Sequence, residues 1–230
     1  MRRMPPLLAA LLLQADPAAL FRDMCKAVDD ARSLRVDAKA DVAQEKGAAA
    51  LSSSLRLQGV VARLDVATSR DAAKHETKLT YREAQCWELE NGRMLPPEDV
   101  HATSVRRLQA AAARIGFAGL AFLASAAKFD RKTRNDVPDA AAMDFSDFAL
   151  AGEEAVGERK AWKVSCKASL QDSGVPPIAV AVWIDKERNV PLKRAIEAKD
   201  RGRDVSIVEI ASRFELNVEI TDEELKTPHK

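Results

Sequence analysis

The 230-residue chain is poor in aromatic residues, histidine, cysteine and net charge. Only 5% of its residues are aromatic, which argues against a platform on which nucleic-acid bases could stack. The formal net charge is +1, so the chain lacks the basic surface that attracts a nucleic acid. The composition therefore predicts a protein that does not bind nucleic acid.

Three cysteines and three histidines offer little material for a metal or redox site. Cys25, Cys86 and Cys166 lack the close spacing of a zinc site or a C-x-x-C motif, and an odd number permits at most one disulfide. We expect small buried hydrophobic side chains, and whether any two of them pair stays open. None of the histidines has a metal-ligand spacing, so we expect neither metal nor cofactor.

The sequence also lacks a motif for catalysis. It contains no G-x-S-x-G, no glycine loop for phosphate and no paired-carboxylate motif. The one enzymatic alternative is a thiol and its base, formed if Cys86 and His75 meet across neighbouring strands. A surface histidine and a buried cysteine are the simpler interpretation. We therefore predict that the protein is not an enzyme.

The first 15 residues have the organisation of a secretory signal peptide. Arg2 and Arg3 form a short positive region, and an apolar run extends from Met4 to Leu13. This run is shorter than the roughly twenty apolar residues of a transmembrane helix. We predict a signal peptide over residues 1–15 and an exported, periplasmic protein. The alternative is the apolar first turn of a buried helix.

Alternating apolar and polar residues predict strands on both sides of a helical region. Ser33 to Val42 alternate almost perfectly between an apolar face and a charged face, as in an antiparallel sheet with one buried face. Further strands are predicted between residues 55 and 89 and again from 145 to 216. A turn at Asp185 separates two of these later strands.

Two helical regions accompany the strands. Asp16 and Pro17 have the character of an N-cap and a first helical residue, which predicts a helix to about Arg32. A second region, from about Glu98 to Lys128, is rich in alanine, and its segment from Ile115 to Ala127 carries no charge. The order helix, strands, helices, strands predicts a single α+β domain over residues 16–230.

The C-terminal third carries the most specific pattern. It reads Val182-Trp183-Ile184-Asp185, a short turn, and Pro191-Leu192 followed by Lys193 and Arg194; a closing segment runs from Phe214 to Leu225. Together with Ser33-Leu34 and Trp87, these residues resemble the LolA/LolB-type lipoprotein-carrier superfamily, which also includes mycobacterial lipid-carrier lipoproteins. The resemblance covers nearly the whole chain after residue 15, with departures such as Ala38, where the family usually has an aromatic residue.

The resemblance implies a curved antiparallel sheet, or half-barrel, with helices forming a lid over an apolar cavity. It also implies non-catalytic binding of a lipid or lipoprotein acyl group in the periplasm, with membrane-bound proteins as donor and acceptor. We expect a monomer. The alternative is an envelope scaffold or sensor domain on the same fold, with its cavity filled by side chains.

Candidate binding residues are the apolar side chains that would face such a cavity. On the sheet these are Leu55, Leu57, Leu64, Val66 and Trp183, and on the lid they are Ile115, Phe122 and Leu123. The same residues would equally suit a packed core. Gly116 and Gly119 are the candidate lid hinge because glycine weakens a helix. Arg63 is the nearest candidate for the functional arginine of the carriers.

Overall fold

A computed structural model of the chain describes residues 15–45, 47–126, 135–170, 175–200 and 202–227. The predicted signal peptide lies outside these residues, apart from its last residue. Ala127 and Lys128, at the end of the predicted helical region, also lie outside them. The export of the protein therefore stays a prediction.

A large antiparallel sheet and three α-helices form the fold. The elements are α1 (Pro17–Asp29), β1 (Ser33–Gln44), β2 (Gly47–Gln58), β3 (Val61–Arg70), β4 (Ala73–Arg82), β5 (Gln85–Glu90), β6 (Arg93–Met94), β7 (Glu98–Asp99), α2 (Ser104–Arg114), α3 (Gly116–Ala126), β8 (Met143–Val156), β9 (Arg159–Leu170), β10 (Ile178–Asp185), β11 (Pro191–Asp200) and β12 (Arg203–Leu216). The strand order is β6-β5-β4-β3-β2-β1-β12-β11-β10-β9-β8, with β7 beside β5. The predicted α+β half-barrel is confirmed.

The two faces of the sheet differ in the way the alternation of β1 predicts. Leu34, Val36 and the alanines that follow at every second position are buried, while Arg35 and Lys39 lie on the opposite face. The helices pack on the face that carries Leu34 and Val36, which we call the inner face; the other is the outer face. Burial of one face only is what an antiparallel sheet with a helical layer on one side requires.

The helical region between the two sets of strands begins later than the sequence predicts, and it is broken at one of the two predicted hinge glycines. Glu98 and Asp99 form β7, and α2, the first helix of this region, begins only at Ser104. At Gly116 the chain turns by 115° from α2 into α3. Within the described ranges no single helix is long and apolar enough to cross a membrane, although α2 and α3 together reach that length and composition as a bent pair.

The Trp-Ile-Asp segment ends in a turn that its aspartate builds. The carboxylate of Asp185 accepts hydrogen bonds from the backbone N–H groups of Glu187 (2.8 Å) and Arg188 (3.1 Å). Asn189 supplies the left-handed residue of the turn, with φ of 54°, a conformation that asparagine tolerates well. Asp185 is buried and pairs with Arg159 at 3.2 Å, so the turn is fixed to the neighbouring hairpin.

After β12 the chain crosses the outer face of β1, β2 and β3. We call residues 218–227 the C-terminal strap; its Ile220 and Leu225 are buried. Beneath it Arg35, Arg56 and Arg63 lie directly opposite one another on the three strands. Glu224 of the strap accepts hydrogen bonds from Arg35 at 2.8 and 3.0 Å and lies 3.4 Å from Arg56.

The strap makes the stability of the fold sensitive to acid. A hydrogen bond from the backbone N–H of Thr221, together with the Arg35 guanidinium, lowers the pKa of Glu224 from 4.5 to about 2. A carboxylate with a lowered folded-state pKa contributes stability above pH 4.5 and loses it as the pH falls towards 2. We expect Glu224→Gln to lower the free energy of unfolding at pH 7, with the difference from the native protein vanishing near pH 2.

Urea unfolding at pH 7, 4.5 and 2.5 measures this difference. Glu223→Gln is the matched control because Glu223 is the exposed neighbour of Glu224 and pairs only with Lys226 near the end of the strap. An equal loss in both variants, or a Glu224→Gln loss that is independent of pH, would show that the Arg35–Glu224 contact does not hold the strap.

Candidate functional site: an apolar cavity beneath the lid

A small apolar cavity lies between the inner face of β2 to β4 and the helices α2 and α3. Its volume is about 170 Å³. It is lined by Leu51, Leu64, Val66, Leu79, Tyr81, Leu108, Phe117, Leu120, Ala121, Ala124, Asn135, Asp136, Val137 and Pro138. Ligand pockets usually measure about 300–1,000 Å³, whereas a dry cavity of about 150 Å³ accepts benzene. In this conformation there is room for the end of an acyl chain but not for a whole one.

The polar groups of the cavity are gathered at one end. The hydroxyl of Tyr81 donates to the carbonyl oxygen of Asn135 at 3.3 Å, and the amide of Asn135 donates to the Glu88 carboxylate at 3.2 Å. Asp136 accepts from the backbone N–H of His101 at 2.9 Å. Burial raises the pKa of Tyr81 well above its ordinary value, so this hydroxyl stays protonated. The cavity thus combines an apolar body with one hydrogen-bonding end.

Two of the predicted cavity residues, Leu64 and Val66, line this space. Five others are buried in the core and are not among the lining residues: Leu55, Leu57, Ile115, Phe122 and Leu123. The sequence could not separate the two sets because a lined cavity and a packed core use the same side chains. The separation depends on which strand residues α3 covers, and on which face of α3 each helix residue lies.

Helix α3 is covered on two sides, and its exposed residues, Ala121 and Ser125, are small. Phe117, Leu120 and Ala124 follow one another at helical spacing on the side that borders the cavity. On the other side, Gly119 lies so close to β11 that a Cβ there would come within 2.7 Å of Cδ1 of Ile196. The uncharged segment is therefore a lid that packs on the sheet at one side and closes the cavity at the other.

Two predicted site residues lie on the outer face of the sheet, which corrects the predicted position of Trp183 in the cavity; the functional role of Arg63 stays a prediction. Trp183 is directly opposite Lys163 and Lys193, on the face away from the helices, and its indole N–H donates to Glu154 at 2.6 Å. Arg63 lies in the arginine row beneath the strap, 3.0 Å from Asp65. Both positions follow from the alternation of side chains along a strand, because neighbouring residues point to opposite faces. Neither side chain can contact a ligand in the cavity as it stands.

The lid is joined to the sheet by a buried ion pair that the sequence analysis did not identify. Arg194 on β11 and Glu209 on β12 are directly opposite one another and are only 3–4% exposed, with Nη1 of Arg194 3.2 Å from Oε1 of Glu209. Arg194 also donates to the carbonyl oxygens of Ala112 and Ala113, at the end of α2. Glu209 accepts from the backbone N–H of Ala118, in the first turn of α3, at 2.8 Å.

The pair satisfies backbone groups that the break between the helices leaves without intrahelical partners. The last carbonyl groups of α2 favour a cation, and the first N–H groups of α3 favour an anion. Burial raises the pKa of Glu209, whereas Arg194 and the N–H groups of α3 oppose this rise. A sequence signal was available, because Arg194 alternates with Leu192 and Ile196, and Glu209 with Val205 and Ile207. A charged residue at an apolar position of the alternation therefore marks a buried pair.

Of the two predicted hinge glycines, only Gly116 lies at the break. Its φ of +71° is a left-handed value, and a Cβ at this position would overlap the Glu209 carboxylate. Gly119 lies within α3, where its small size allows contact with Ile196 and Ile115. The structure therefore places one glycine at the joint and the other at the contact between lid and sheet; hinge motion itself stays a prediction.

The three cysteines are buried, as expected, and none of them forms a disulfide. Burial raises the pKa of Cys25 to about 11 and that of Cys166 to about 12, which keeps both thiols protonated at neutral pH. His75 does not approach Cys86: on β4 it lies about 20 Å from Tyr81, the residue opposite Cys86. In the parts of the chain that the structure describes, no group of three or more histidine, cysteine, aspartate or glutamate side chains is placed to hold a metal ion.

The cavity, the lid and the open sheet define a class of fold, and comparison with solved structures leads to the same class. The lipoprotein LppX from Mycobacterium tuberculosis superposes with a TM-score of 0.50 at 13% identity, over 90% of this chain and 99% of that one. This likeness shows the fold and confirms, at that level, the predicted resemblance to LolA-type and mycobacterial lipid carriers. It does not show a cargo.

Other matches are weaker. MucB from Pseudomonas aeruginosa, in a complex with MucA, gives a TM-score of 0.43 at 14% identity over 93% of this chain and 62% of that one. A LolA superfamily protein from Nitrosomonas europaea gives 0.36 at 10% identity, over 89% and 96%. No protein-family model and no curated protein sequence matches the chain.

Gly116→Ala tests the joint between the two helices. The new methyl group would enter the space of the Glu209 carboxylate, which cannot move away without breaking its bonds to Arg194 and α3. Overpacking and an unfavourable φ together should lower the free energy of unfolding by about 2–4 kcal/mol. Gly157→Ala is the control, since Gly157 also has a positive φ (60°) but open space around it. A similar loss in both variants would mean that only the backbone conformation matters.

Glu209→Gln tests the ion pair itself. It leaves the guanidinium of Arg194 buried without a counter-charge, and breaking a buried pair in this way costs about 3–5 kcal/mol. Chemical unfolding measures this loss. Glu197→Gln, at an exposed position of β11, should change stability by no more than about 0.5 kcal/mol. If the Glu209 variant were as stable as the native protein, the pair would not be what joins the lid to the sheet.

Proposed function

We propose that the protein is a non-catalytic carrier that holds the acyl group of a lipid or lipoprotein beneath the α3 lid during transport in the bacterial periplasm. The observation that carries the proposal is the apolar cavity between β2–β4 and α3, with its hydrogen-bonding groups at one end. An acyl chain would occupy the apolar body. Its ester, amide or head group would lie near Tyr81 and Asn135.

The size of the cavity requires that the lid move before a whole chain can enter. Burial of each methylene group contributes about 0.8 kcal/mol, so a chain of ordinary length gains enough to displace side chains of the lid. The N-terminal end of α3 is held by Glu209, whereas the residues that close the cavity, Leu120 and Ala124, lie further along the helix. We therefore expect the later turns of α3 to move outward while its first turn, which begins at Gly116, stays on the sheet.

Release in this mechanism needs no bond to break. Because the cargo is held by burial alone, it leaves when an acceptor, such as a membrane-bound protein, offers a better apolar site. The likeness of the fold to the lipoprotein LppX supports the carrier. Because the closed cavity is small, the alternative is an envelope scaffold or sensor domain on this fold, and the experiment distinguishes it from the carrier.

Native mass spectrometry of the protein purified from its own cell envelope, followed by lipid extraction, tests the proposal directly. We expect a co-purified lipid or lipopeptide. A purified sample stripped of lipid should then take up a pyrene-labelled monoacylglycerol, detected by the increase in its fluorescence. An empty protein that also fails to take up this probe would overturn the carrier and favour the scaffold.

Leu120→Trp locates the binding site. Leu120 lines the cavity and is 8% exposed, so a larger side chain there fills the space and should reduce probe uptake at least tenfold. Val60→Trp adds the same side chain at a position that is 73% exposed and should leave uptake unchanged. Thermal unfolding of both variants shows whether they remain folded. Full uptake by a folded Leu120→Trp protein would place the ligand elsewhere.

A further inference from the structure

The outer face carries a row in which basic and apolar side chains alternate from strand to strand. Lys163 on β9 is opposite Trp183 on β10, which is opposite Lys193 on β11. Lys193 is opposite Ile210 on β12, and Ile210 is opposite Lys39 on β1. Directly paired residues of an antiparallel sheet share a face, so these five side chains form one continuous line. With strands about 4.8 Å apart, the line is about 19 Å long.

The apolar members of this row are placed unusually for residues that serve only the core. Ile210 is 45% exposed and, within the described residues, is one of two large hydrophobic side chains that are so exposed; the other is Val60. Trp183 is covered mainly from above by the row itself, with the ammonium groups of Lys163 and Lys193 lying 4.8 and 4.4 Å from the ring centre. Trp183 is 4% exposed in this conformation, so its indole can reach a membrane only if these two lysine side chains turn outward.

The charge of the row is positive. One of its lysines, Lys163, pairs with Glu154 at 2.8 Å. Among the described residues, neither Lys39 nor Lys193 forms a salt bridge. Other carboxylates of this face lie further along the strands. Asp37 and Asp41 are two residues to either side of Lys39 on β1, and Glu197 is four residues from Lys193 on β11; Asp37 pairs with Arg56 at 2.9 Å. Ser206 donates a hydrogen bond to Glu197 at 2.8 Å.

We propose that this row is a docking surface for a membrane that contains anionic phospholipids. Lysine side chains can extend along an apolar surface and place their ammonium groups at the phosphate level. Ile210 would then enter the region beneath the head groups, and Trp183 would lie at the interface, where tryptophan is enriched.

Docking in this way does not depend on the proposed cavity function. The row and the cavity lie on opposite faces of the sheet, so a protein on the membrane would keep its lid turned towards the aqueous side. From there α3 is free to move and to meet another protein. Lipid in the cavity and lipid beneath the outer face are therefore separate sites, which can be tested one at a time.

Co-flotation with vesicles tests the docking surface. We expect the mature protein to bind vesicles of phosphatidylcholine with about 30% phosphatidylglycerol at 50 mM NaCl, and to bind pure phosphatidylcholine much more weakly. At 500 mM NaCl the binding should largely disappear, because salt screens exposed charges. The double variant Lys39→Gln/Lys193→Gln should bind at least about tenfold more weakly. The Leu120→Trp protein, with its cavity filled, should bind vesicles as the native protein does.

A second double variant, Arg22→Gln/Arg106→Gln, is the matched control because it removes the same charge at exposed positions of α1 and α2, on the opposite side of the sheet. A second readout is the tryptophan emission, which should shift to the blue on the anionic vesicles and lose this shift in Trp183→Phe. An equal loss of binding in the two double variants would mean that only net charge matters, which overturns the assignment. Absence of binding at 50 mM NaCl would also overturn it and would turn attention to an acidic protein partner.

Discussion

The buried pair of Arg194 and Glu209 is the contact on which the arrangement of lid and sheet depends. Two charges beneath a helical layer are costly unless every remaining donor and acceptor finds a partner. Here the partners are the last carbonyl groups of α2 and the first N–H groups of α3, and among the described residues only Nε of Arg194 is left buried without a hydrogen-bond partner in the pair. The chain can therefore turn by 115° at Gly116 inside the protein without leaving the backbone groups of the break unsatisfied.

This anchoring also determines which part of the lid can be mobile. The first turn of α3 is held by hydrogen bonds to a carboxylate, and Gly119 packs directly on Ile196. The later residues that cover the cavity, such as Leu120, face it with apolar side chains, whose contacts can be exchanged for a ligand at little cost. A lid with one polar, fixed end and one apolar, exchangeable end is suited to admit a chain-like molecule lengthwise.

The sequence predicts the fold better than the site, for physical reasons. Period-two alternation, as in Ser33 to Val42, depends on local geometry alone, and it recovered the strands and the buried face of β1. Which residues line the cavity depends instead on how α3 lies over the sheet. Only the structure therefore shows that Leu64 lines the cavity and Leu55 does not. The prediction that Trp183 faces the cavity was wrong because its strand is apolar on both faces, so the sequence shows no alternation that would assign its side chain to a face. Arg194 and Glu209 were overlooked because charged residues are usually read as solvated.

The pairing of β1 with β12 places the first and last strands of the chain side by side at the centre of the sheet. The backbone pairs that join the two halves are separated by most of the sequence, from Leu34 to Leu216. Such contacts are the slowest to form, because the entropy of closing a long loop is lost before any stabilising contact is made. A nascent chain can therefore build hairpins but cannot complete the sheet until its last strand has been synthesised. Until then its apolar strand faces stay exposed to chaperones and to association with other chains.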